Sequence, residues 1–346
     1  MVTASYSKHE LAFKRQARTS RGAMENHIAY YVILKEGNRT GIGEAAPLKG
    51  LSIDDRSDFE NKLKECIAYI HDGLPVDALD LTEFPSLQFA FETASLSLKF
   101  EKPFTVFENS FMQGMPISIN GLVWMNSRDE MLEEAYTKAA EGFSCIKFKV
   151  GALDFDEECR MLEAFRKRYS SFKVELRLDA NGAFATDEAE QKLKELSRFG
   201  IHSIEQPIRA KQIDHMQELC IKTAIPIALD EELIGVNVQL DGGGLLKFIK
   251  PQFIILKPTL LGGLAASDQW IKHAQYHTIG WWATSALESN IGLNAIAQWC
   301  ANHETNLPQG LGTGSLYSNN IQSPLSVHQG YLHYNQNAFW SFPPNG

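Results

Sequence analysis

The sequence of 346 residues is poor in the features that mark several classes of protein. Its five cysteines are widely scattered, and none stands in a C-x-x-C pair, which argues against a disulfide framework or a zinc site. No stretch approaches the roughly 18 to 20 consecutive apolar residues of a transmembrane helix. The N-terminal segment lacks the apolar core of a secretory signal. The sequence therefore predicts a cytoplasmic protein with reduced thiols and no membrane partner.

An excess of positive charge is also absent. The chain has 33 Lys and Arg against 42 Asp and Glu, which gives a net charge of -9. Proteins that bind nucleic acid draw most of their affinity from clustered Lys and Arg, so nucleic acid is not an expected partner. Hydrophobic residues make up 44% of the chain, a share typical of a folded globular protein with a large core.

The N-terminal third of the chain predicts an α+β unit. Residues 27–35 are rich in β-branched and aromatic residues, and a glycine-containing turn leads from them into a second strand at 40–45. These two segments predict a hairpin. Apolar residues at helical spacing predict helices over 57–72 and 86–100, after which Pro103 marks the edge of the unit.

Short apolar strands then recur at a nearly fixed interval. Their centres lie 26 to 30 residues apart, and each gap holds a segment of helix length. Strands that alternate with helices form parallel βαβ units, and eight such units close into a (β/α)8 barrel. The count favours a barrel over an open, doubly wound sheet. The centres are Ile117, Lys147, Arg177, Ser203, Ala228, Ile255, Ala283 and Gln309.

Three consecutive strands of this predicted barrel end in an acidic residue. Asp179, Glu205 and Asp230 follow the third, fourth and fifth strands, and the C-terminal ends of barrel strands meet around one mouth. Three carboxylates without a histidine or cysteine ligand form an all-oxygen site that suits Mg²⁺. Each acid alone could instead be a helix N-cap. Three acids in register favour the metal site.

Lysines flank the three acids. Lys147 and Lys149 are two residues apart on one strand, so their side chains point to the same face. If Phe148 faces the helices, both lysines face the barrel interior; the alternative is that both are exposed. A lysine that is desolvated and crowded by a second cation should have a lowered pKa, in the range of a general base. Lys257 ends the sixth strand and would approach the mouth from the opposite side.

The remaining strand ends predict residues that support the acids or contact a substrate. Arg177 would share the inward face of Asp179, and it is expected to orient the acids together with Asn181 and Glu231. Small, neutral residues follow the seventh and eighth strands, where free backbone amides could bind a carboxylate. A simple tight turn is the alternative there. The candidate substrate contacts are Ser285, Leu287, Ser289, Gly312 and Thr313.

Taken together, these motifs resemble the muconate-lactonizing subgroup of the enolase superfamily and, more narrowly, its o-succinylbenzoate synthases. The general resemblance rests on K-x-K at 147–149, D-A-N at 179–181, E-Q-P at 205–207, D-E at 230–231, K-P at 257–258 and GIGEAAP at 41–47. The narrower resemblance rests on KPTLLGG at 257–263, TSALESNIGLNAIAQW at 284–299 and GLGTGSLYSNN at 310–320.

The resemblance implies an α/β fold, a modified TIM barrel of the (β/α)7β type with an α+β capping domain. Residues 1–111 would form the capping domain, 112–316 the barrel, and 317–346 a C-terminal tail that completes the cap. The capping loops at 19–24 and 48–53 would read the distal part of the substrate. The chain could be a monomer or a homo-oligomer.

The resemblance also implies residue roles. Asp179, Glu205 and Asp230 would bind Mg²⁺, for which Mn²⁺ can substitute. Lys149 would be the general base and then the general acid, Lys257 would stabilise the enediolate, and Lys147 would add positive charge beside them.

The implied reaction is the dehydration of 2-succinyl-6-hydroxy-2,4-cyclohexadiene-1-carboxylate, a small anionic carboxylate, to 2-succinylbenzoate in menaquinone biosynthesis. An alternative is an N-succinylamino acid racemase or dipeptide epimerase that uses Lys149 and Lys257 as paired bases. Dipeptide epimerases of the superfamily carry an Asp-x-Asp pair at the eighth strand, where this sequence has Gly312-Thr313-Gly314. A barrel that binds a ligand without catalysis agrees least with the sequence, because the three acidic positions and the two lysine positions, Lys149 and Lys257, all hold chemically competent residues.

Overall fold

The computed structural model describes residues 1–19 and 22–342. Its N-terminal part is an antiparallel sheet of three strands in the order β1-β2-β3, packed on two helices. The hairpin and both helices are confirmed. The elements are β1 (Thr3–Thr19), β2 (Gly22–Glu36), β3 (Arg39–Ala45), α1 (Phe59–His71) and α2 (Pro85–Ser97).

Strand β1 is an addition to the sequence prediction. It pairs with β2 along most of its length, with an irregularity between Ala12 and Ala17. Among the β1 residues whose burial is described, only Ala4 and Leu11 are buried. Because a strand with so few buried residues shows little hydrophobic alternation, the sequence carries a weak signal for it.

Strand β3 lies unusually close to helix α2. A Cβ atom added to Gly41 or Gly43 would lie 2.0 Å from the carbonyl oxygen of Ala94 or Ala90, respectively. Only glycine allows backbones to approach this closely. The glycines of the GIGEAAP motif therefore fix the sheet against the helix.

The central part of the chain is a modified TIM barrel. Seven parallel strands form one curved sheet in sequence order, and their residues are almost all buried, as expected for strands covered on both faces. The strands are β5 (Gly121–Val123), β6 (Cys145–Lys149), β7 (Glu175–Asp179), β8 (Ser203–Glu205), β9 (Ile227–Leu229), β10 (Phe253–Leu256) and β11 (Gly280–Ala283).

Two of the eight predicted strand centres are wrong in detail. Ile117 lies in a short strand that pairs outside the barrel, and the first barrel strand begins at Gly121. Gln309 forms an isolated bridge with Ile119, and the next residue forms one with Thr284, so bridges rather than a regular eighth strand close the barrel. Besides β1 to β3, the described strands outside the barrel are β4 (Ile117–Ser118), β12 (Leu325–His328) and β13 (Tyr331–Tyr334).

Helices cover the outside of the barrel, as the alternation predicts. The segment after β9 is irregular: it forms a 3-10 turn (Glu231–Leu233) and a π-helical turn (Val238–Gly242) before a short α-helix begins at Gly243. The helices are α3 (Arg128–Ala140), α4 (Phe155–Arg168), α5 (Thr186–Leu196), α6 (Ile213–Lys222), α7 (Gly243–Ile249), α8 (Pro258–Leu261), α9 (Leu264–Tyr276) and α10 (Asn290–Cys300).

The main hydrophobic core lies between the barrel strands and these helices. Phe148 belongs to it and packs edge-on against Phe165 of α4, with ring centroids 5.7 Å apart. The prediction that Phe148 faces the helices is thus confirmed, and its neighbours Lys147 and Lys149 face inward. All five cysteines are free and buried. Within the described residues, no helix is long and apolar enough to cross a bilayer.

The C-terminal tail contacts both parts of the molecule. Its strands β12 and β13 extend β4 into a small sheet. Further along, Trp340 stacks on Phe104 with centroids 4.3 Å apart, and Phe342 packs edge-on against Tyr31 at 5.4 Å. These contacts fasten the tail to the N-terminal part. The division of the chain at residues 111 and 316 stays a prediction.

Two acids of the N-terminal part dock onto barrel helices. Glu92 of α2 accepts hydrogen bonds from the backbone amides of Leu264 and Ala265, at the start of α9. Glu44 of β3 accepts from Ser289 and from the amide of Gly292, at the start of α10, at 2.6 to 2.7 Å. A carboxylate at a helix N-terminus satisfies free amides and interacts favourably with the helix dipole.

The Glu44 contact should make stability depend on pH. Burial raises the pKa of Glu44 to about 7 from 4.5, despite the hydrogen bonds from Ser289 and Gly292. A carboxyl with a raised pKa binds its proton more tightly in the folded state. The free energy of unfolding should therefore fall by about 3 kcal/mol as the pH rises from about 4.5 to about 7.

Urea unfolding of wild type and Glu44→Gln at pH 5 and pH 7 measures this contribution. We expect the variant to lose much of the decrease with pH that wild type shows. Glu65→Gln, which replaces an exposed acid of α1, is the control and should keep the wild-type dependence. Identical pH dependence in wild type and Glu44→Gln would contradict the assignment.

Candidate active site

The strand register brings the predicted site residues to one end of the barrel. Lys149 of β6 lies opposite Asp179 of β7, and Asp179 lies opposite Glu205 of β8. Asp230 and Lys257 directly follow β9 and β10. All five residues are at least nine-tenths buried. Parallel strands that end at the same level thus collect five ionisable side chains from separate parts of the sequence.

The three acids and three lysines form a continuous row of ion pairs. The Lys149 ammonium contacts Asp179 at 2.8 Å. The Lys147 ammonium contacts Asp179 at 3.1 Å and Glu205 at 2.6 Å. At the other end of the row, Lys257 hydrogen-bonds to Asp230 and lies 3.8 Å from Glu205 Oε1. Lys147 is therefore the middle lysine of the row. Lys149 begins the row at one end, and Lys257 is the last lysine before Asp230 at the other.

The electrostatics of the row correct one expectation. Burial by itself would lower the pKa of Lys147, but the carboxylates of Asp179 and Glu205 outweigh it and raise that pKa. The pKa of Lys257 is raised in the same way, against its burial, by Asp230 and Glu205. The crowding of Lys147 by a second lysine is therefore compensated by Asp179 and Glu205, which favour its charged form.

The acids differ in how well they are compensated. Burial would raise the pKa of Asp179, but Lys147 and Lys149 hold it well below its usual range. Burial, with Glu231 and Glu205 nearby, raises the pKa of Asp230, although the Lys257 ammonium opposes this shift. Asp230 therefore lies where additional positive charge would be most stabilising.

The donor set fits a divalent cation. The candidate ligands are carboxylates alone, the oxygen donors that Mg²⁺ prefers, and among the described residues no group hydrogen-bonds to Glu205 Oε1. In the present side-chain conformations, no three acidic, histidine or cysteine side chains of the described residues meet in a metal-binding cluster. The lysine ammoniums contact the acids instead. The carboxylates would therefore need to exchange lysine contacts for metal contacts.

Polar residues next to the acids hold the row in place. Asn181 has a left-handed backbone conformation, and its amide accepts from Lys149 at 2.7 Å and donates to Glu231 at 3.1 Å. Both of these predicted supporting residues thus lie at the site. Gln206, which the sequence argument did not single out, is fully buried and accepts a hydrogen bond from the amide of Asp230. Its place within the E-Q-P motif is the signal that could have identified it.

Arg177 lies elsewhere than predicted. It faces into the barrel, but its guanidinium donates to Glu175 at 2.9 Å and to the carbonyl of Pro308 at 2.8 Å, and it stacks over the Trp282 ring. A strand residue two positions before Asp179 lies deeper in the barrel. Its long side chain therefore satisfies groups there instead of orienting the acids.

A cavity of about 900 Å³ opens above the row of ion pairs. All three lysines line it, as do the predicted substrate contacts Ser285, Leu287, Gly312 and Thr313. Ser289 does not. It is fully buried, caps α10 and donates to Glu44, so its prediction as a substrate contact is wrong.

Two further cavity residues bear on the site. Trp124 follows the first barrel strand, and its ring centroid lies 5.9 Å from the Lys149 ammonium; the sequence argument missed it. Lys49 of the predicted capping loop also lines the cavity. The predicted capping loop at 19–24 contains a second basic residue, Arg21, which lies outside the described residues.

Comparisons with known proteins agree with this geometry. A family model described as "Enolase C-terminal domain-like" matches residues 130–338. The o-succinylbenzoate synthase of Desulfotalea psychrophila is 42% identical over an alignment that covers 95% of this chain and 98% of that protein.

Solved structures extend the comparison. The crystal structure of MenC from D. psychrophila superposes with a TM-score of 0.87 at 39% identity, covering 96% of this chain and 99% of that one. The dipeptide epimerase of Enterococcus faecalis, solved with Mg and the dipeptide L-Leu-L-Tyr, has a TM-score of 0.83 over 97% of both chains. It is only 18% identical, so this second similarity supports the fold alone.

Substitution of one candidate ligand should weaken metal binding. Glu205 lies at the centre of the three acids, and Glu205→Gln removes its charge with little change in shape. With Mn²⁺ as the probe, we expect its affinity, measured by isothermal titration, to fall at least about tenfold.

Glu175→Gln is the matched control for this titration. Glu175 starts strand β7, which Asp179 ends, and it contacts Arg177 and His202 instead of the row. Its substitution should leave Mn²⁺ affinity unchanged. Wild-type affinity in Glu205→Gln would exclude Glu205 as a ligand.

Proposed function

Because this chain belongs to the enolase superfamily and, within it, to the o-succinylbenzoate synthases, we propose that it dehydrates 2-succinyl-6-hydroxy-2,4-cyclohexadiene-1-carboxylate to 2-succinylbenzoate. Enzymes of this family are lyases, and this chain is one of them. The observation that carries the proposal for the site is the row of ion pairs at the cavity floor, with Lys149 at one end and Lys257 at the other.

Lys149 is the best candidate for the general base. It lines the cavity, and its two hydrogen-bond partners are one carboxylate, that of Asp179, and the neutral amide of Asn181. Lys147, by contrast, is held between two carboxylates, which favour its charged form. Neutral Lys149 would remove the proton α to the substrate carboxylate and then return it to the departing hydroxide, which leaves as water. The proton balance closes without an oxidant or a reductant.

Lys257 and Lys147 would remain charged through the reaction. In the present side-chain conformations, the acids beside each of them outweigh burial and raise its pKa, which favours the charged form. Removal of the α-proton places additional negative charge on the substrate carboxylate. Fixed positive charge in a buried site stabilises such a transition state strongly, because no solvent reorganisation is needed.

Members of the enolase superfamily use a divalent metal, and we propose Mg²⁺ held by Asp179, Glu205 and Asp230. When bound, the ion supplies positive charge that stabilises the negative charge developing on the substrate carboxylate. The chain's own part is to hold three carboxylates at adjacent strand ends. Glu205 Oε1, to which no described group donates a hydrogen bond, supports a cation at this place.

The cavity suits a small dianion. The protein has a net charge of -9, so an anionic substrate needs local positive charge. Lys147 and Lys257 at the cavity floor, the metal proposed for the three acids, and Lys49, which also lines the cavity, would provide it. The loop after the predicted eighth strand contains Gly312, Thr313 and Gly314, and it therefore lacks an acid that would bind a substrate ammonium. These features favour the dehydration over dipeptide epimerisation.

Substitution of either terminal lysine should abolish turnover. We expect Lys149→Ala and Lys257→Ala each to lower kcat by about 10³-fold or more, because the first removes the base and the second removes fixed charge. Conversion of the diene to 2-succinylbenzoate is followed by absorbance, and thermal melting verifies that each variant is folded.

Calorimetric titration with 2-succinylbenzoate distinguishes a loss of the chemical step from a loss of ligand binding. Lys149→Ala should still bind this product while failing to form it. Lys167→Ala removes an exposed lysine of α4 that pairs with Glu163, and it should leave kcat unchanged. Turnover by folded Lys149→Ala at the wild-type rate would refute the mechanism, and wild type without dehydratase activity would refute the proposed function.

A further inference from the structure

Glu288 is a fully buried carboxylate that the mechanism above does not use. Thr259 donates a hydrogen bond to its Oε1, and Ser285 donates to its Oε2 at 2.5 Å. Among the described residues, its donors are these two hydroxyl groups and the backbone amides of Ala286 and of Glu288 itself, and none is a cation. A buried carboxylate is costly unless its hydrogen bonds are well made, so these two contacts are structurally important.

The contacts of Glu288 join three segments of the active site. Thr259 lies two residues after Lys257, in the short helix α8 that follows β10. Ser285 belongs to the loop after β11, and its hydroxyl accepts from Thr313 at 2.7 Å. Thr313 belongs to the segment that follows the eighth position of the barrel. One carboxylate therefore connects the lysine at the end of the row to two segments that line the cavity.

The loop after β11 is also conformationally demanding. Leu287 has a φ of 70°, in the left-handed region that a bulky residue rarely adopts. Its amide donates to the Ser285 hydroxyl at 3.1 Å, and its carbonyl accepts from the Tyr317 hydroxyl. The Ser285 hydroxyl that Glu288 orients thus helps to hold this backbone conformation, which presents Leu287 to the cavity.

We propose that Glu288 is a positioning residue for the reaction, acting through Ser285 on the cavity wall and through Thr259 on helix α8, which Lys257 directly precedes. The Ser285 hydroxyl donates to Glu288, and the Thr313 hydroxyl donates to Ser285, so both point their protons away from the ligand. Substrate recognition at this wall then depends on the shape and backbone of the loops. This inference rests on the proposed function for its kinetic consequences.

Double-mutant cycles test the Ser285 contact and the Thr259 contact of Glu288 separately. We expect Glu288→Gln to lower kcat/KM about tenfold or more, since small displacements of positioning groups are costly. Glu288→Gln and Ser285→Ala should each raise KM, and the double variant should raise KM no further than either single variant does. Glu288→Gln and Thr259→Val should each lower kcat, and their double variant should lower kcat no further, because the Thr259 contact leads to Lys257.

Glu92→Gln is the matched control. Glu92 is also a largely buried acid, but it accepts only from the backbone amides at the start of α9. Its substitution should lower the melting temperature and leave KM and kcat within about twofold of wild type. Additive effects of Glu288→Gln and Ser285→Ala, or wild-type kinetics in Glu288→Gln, would overturn the proposal.

Hydrogen exchange tests the same linkage without turnover. In Glu288→Gln the backbone amides of 285–288 and 311–314 should exchange faster than in wild type, whereas Glu92→Gln should leave both segments unchanged. Unchanged exchange in folded Glu288→Gln would also overturn the proposal. If Glu288→Gln does not fold, Ser285→Ala and Thr259→Val carry the test, and additivity between them in kcat/KM would contradict a shared anchor. Absence of dehydration by wild type would refute the proposed function alone.

Discussion

The pairing of three buried lysines with three buried acids at the mouth of the barrel is the interaction on which the site depends. Ions removed from water are stable only when they are closely compensated, and here strands β6 to β10 each contribute a charge to the same row. The barrel supplies what such a row needs, because parallel strands in register end side by side. The row gives a buried, charged site whose carboxylates would exchange lysine contacts for metal contacts when the ion binds.

The sequence predicts the positions of these residues well and their contacts poorly. The alternation around Phe148 correctly turns Lys147 and Lys149 inward, because a strand has a period of two. It does not indicate that Lys147 would lie between Asp179 and Glu205, since that contact depends on strands more than 30 residues apart. The expected fall in lysine pKa was wrong for Lys147 for this reason.

Three other sequence predictions differ from the structure, because side-chain length and local sequence signals were not fully accounted for. Arg177 has the predicted inward orientation, but its side chain reaches Pro308 and Glu175 deeper in the barrel. The apolar run that begins at Ile117 belongs to two short strands, which periodicity cannot separate. Ser289 precedes helix α10, and a serine before a helix is a common N-cap signal. The prediction of Ser289 as a substrate contact does not take this signal into account.

We propose that the row opens to hold a metal and leaves Lys149 and Lys257 on opposite faces of the substrate. A crystal structure of the wild-type protein with Mg²⁺ and 2-succinylbenzoate would reveal this arrangement. We expect oxygens of Asp179, Glu205 and Asp230 at about 2.0 to 2.1 Å from the ion, with one lysine ammonium on each face of the product ring. Metal bound elsewhere, or both ammoniums on one face, would contradict it.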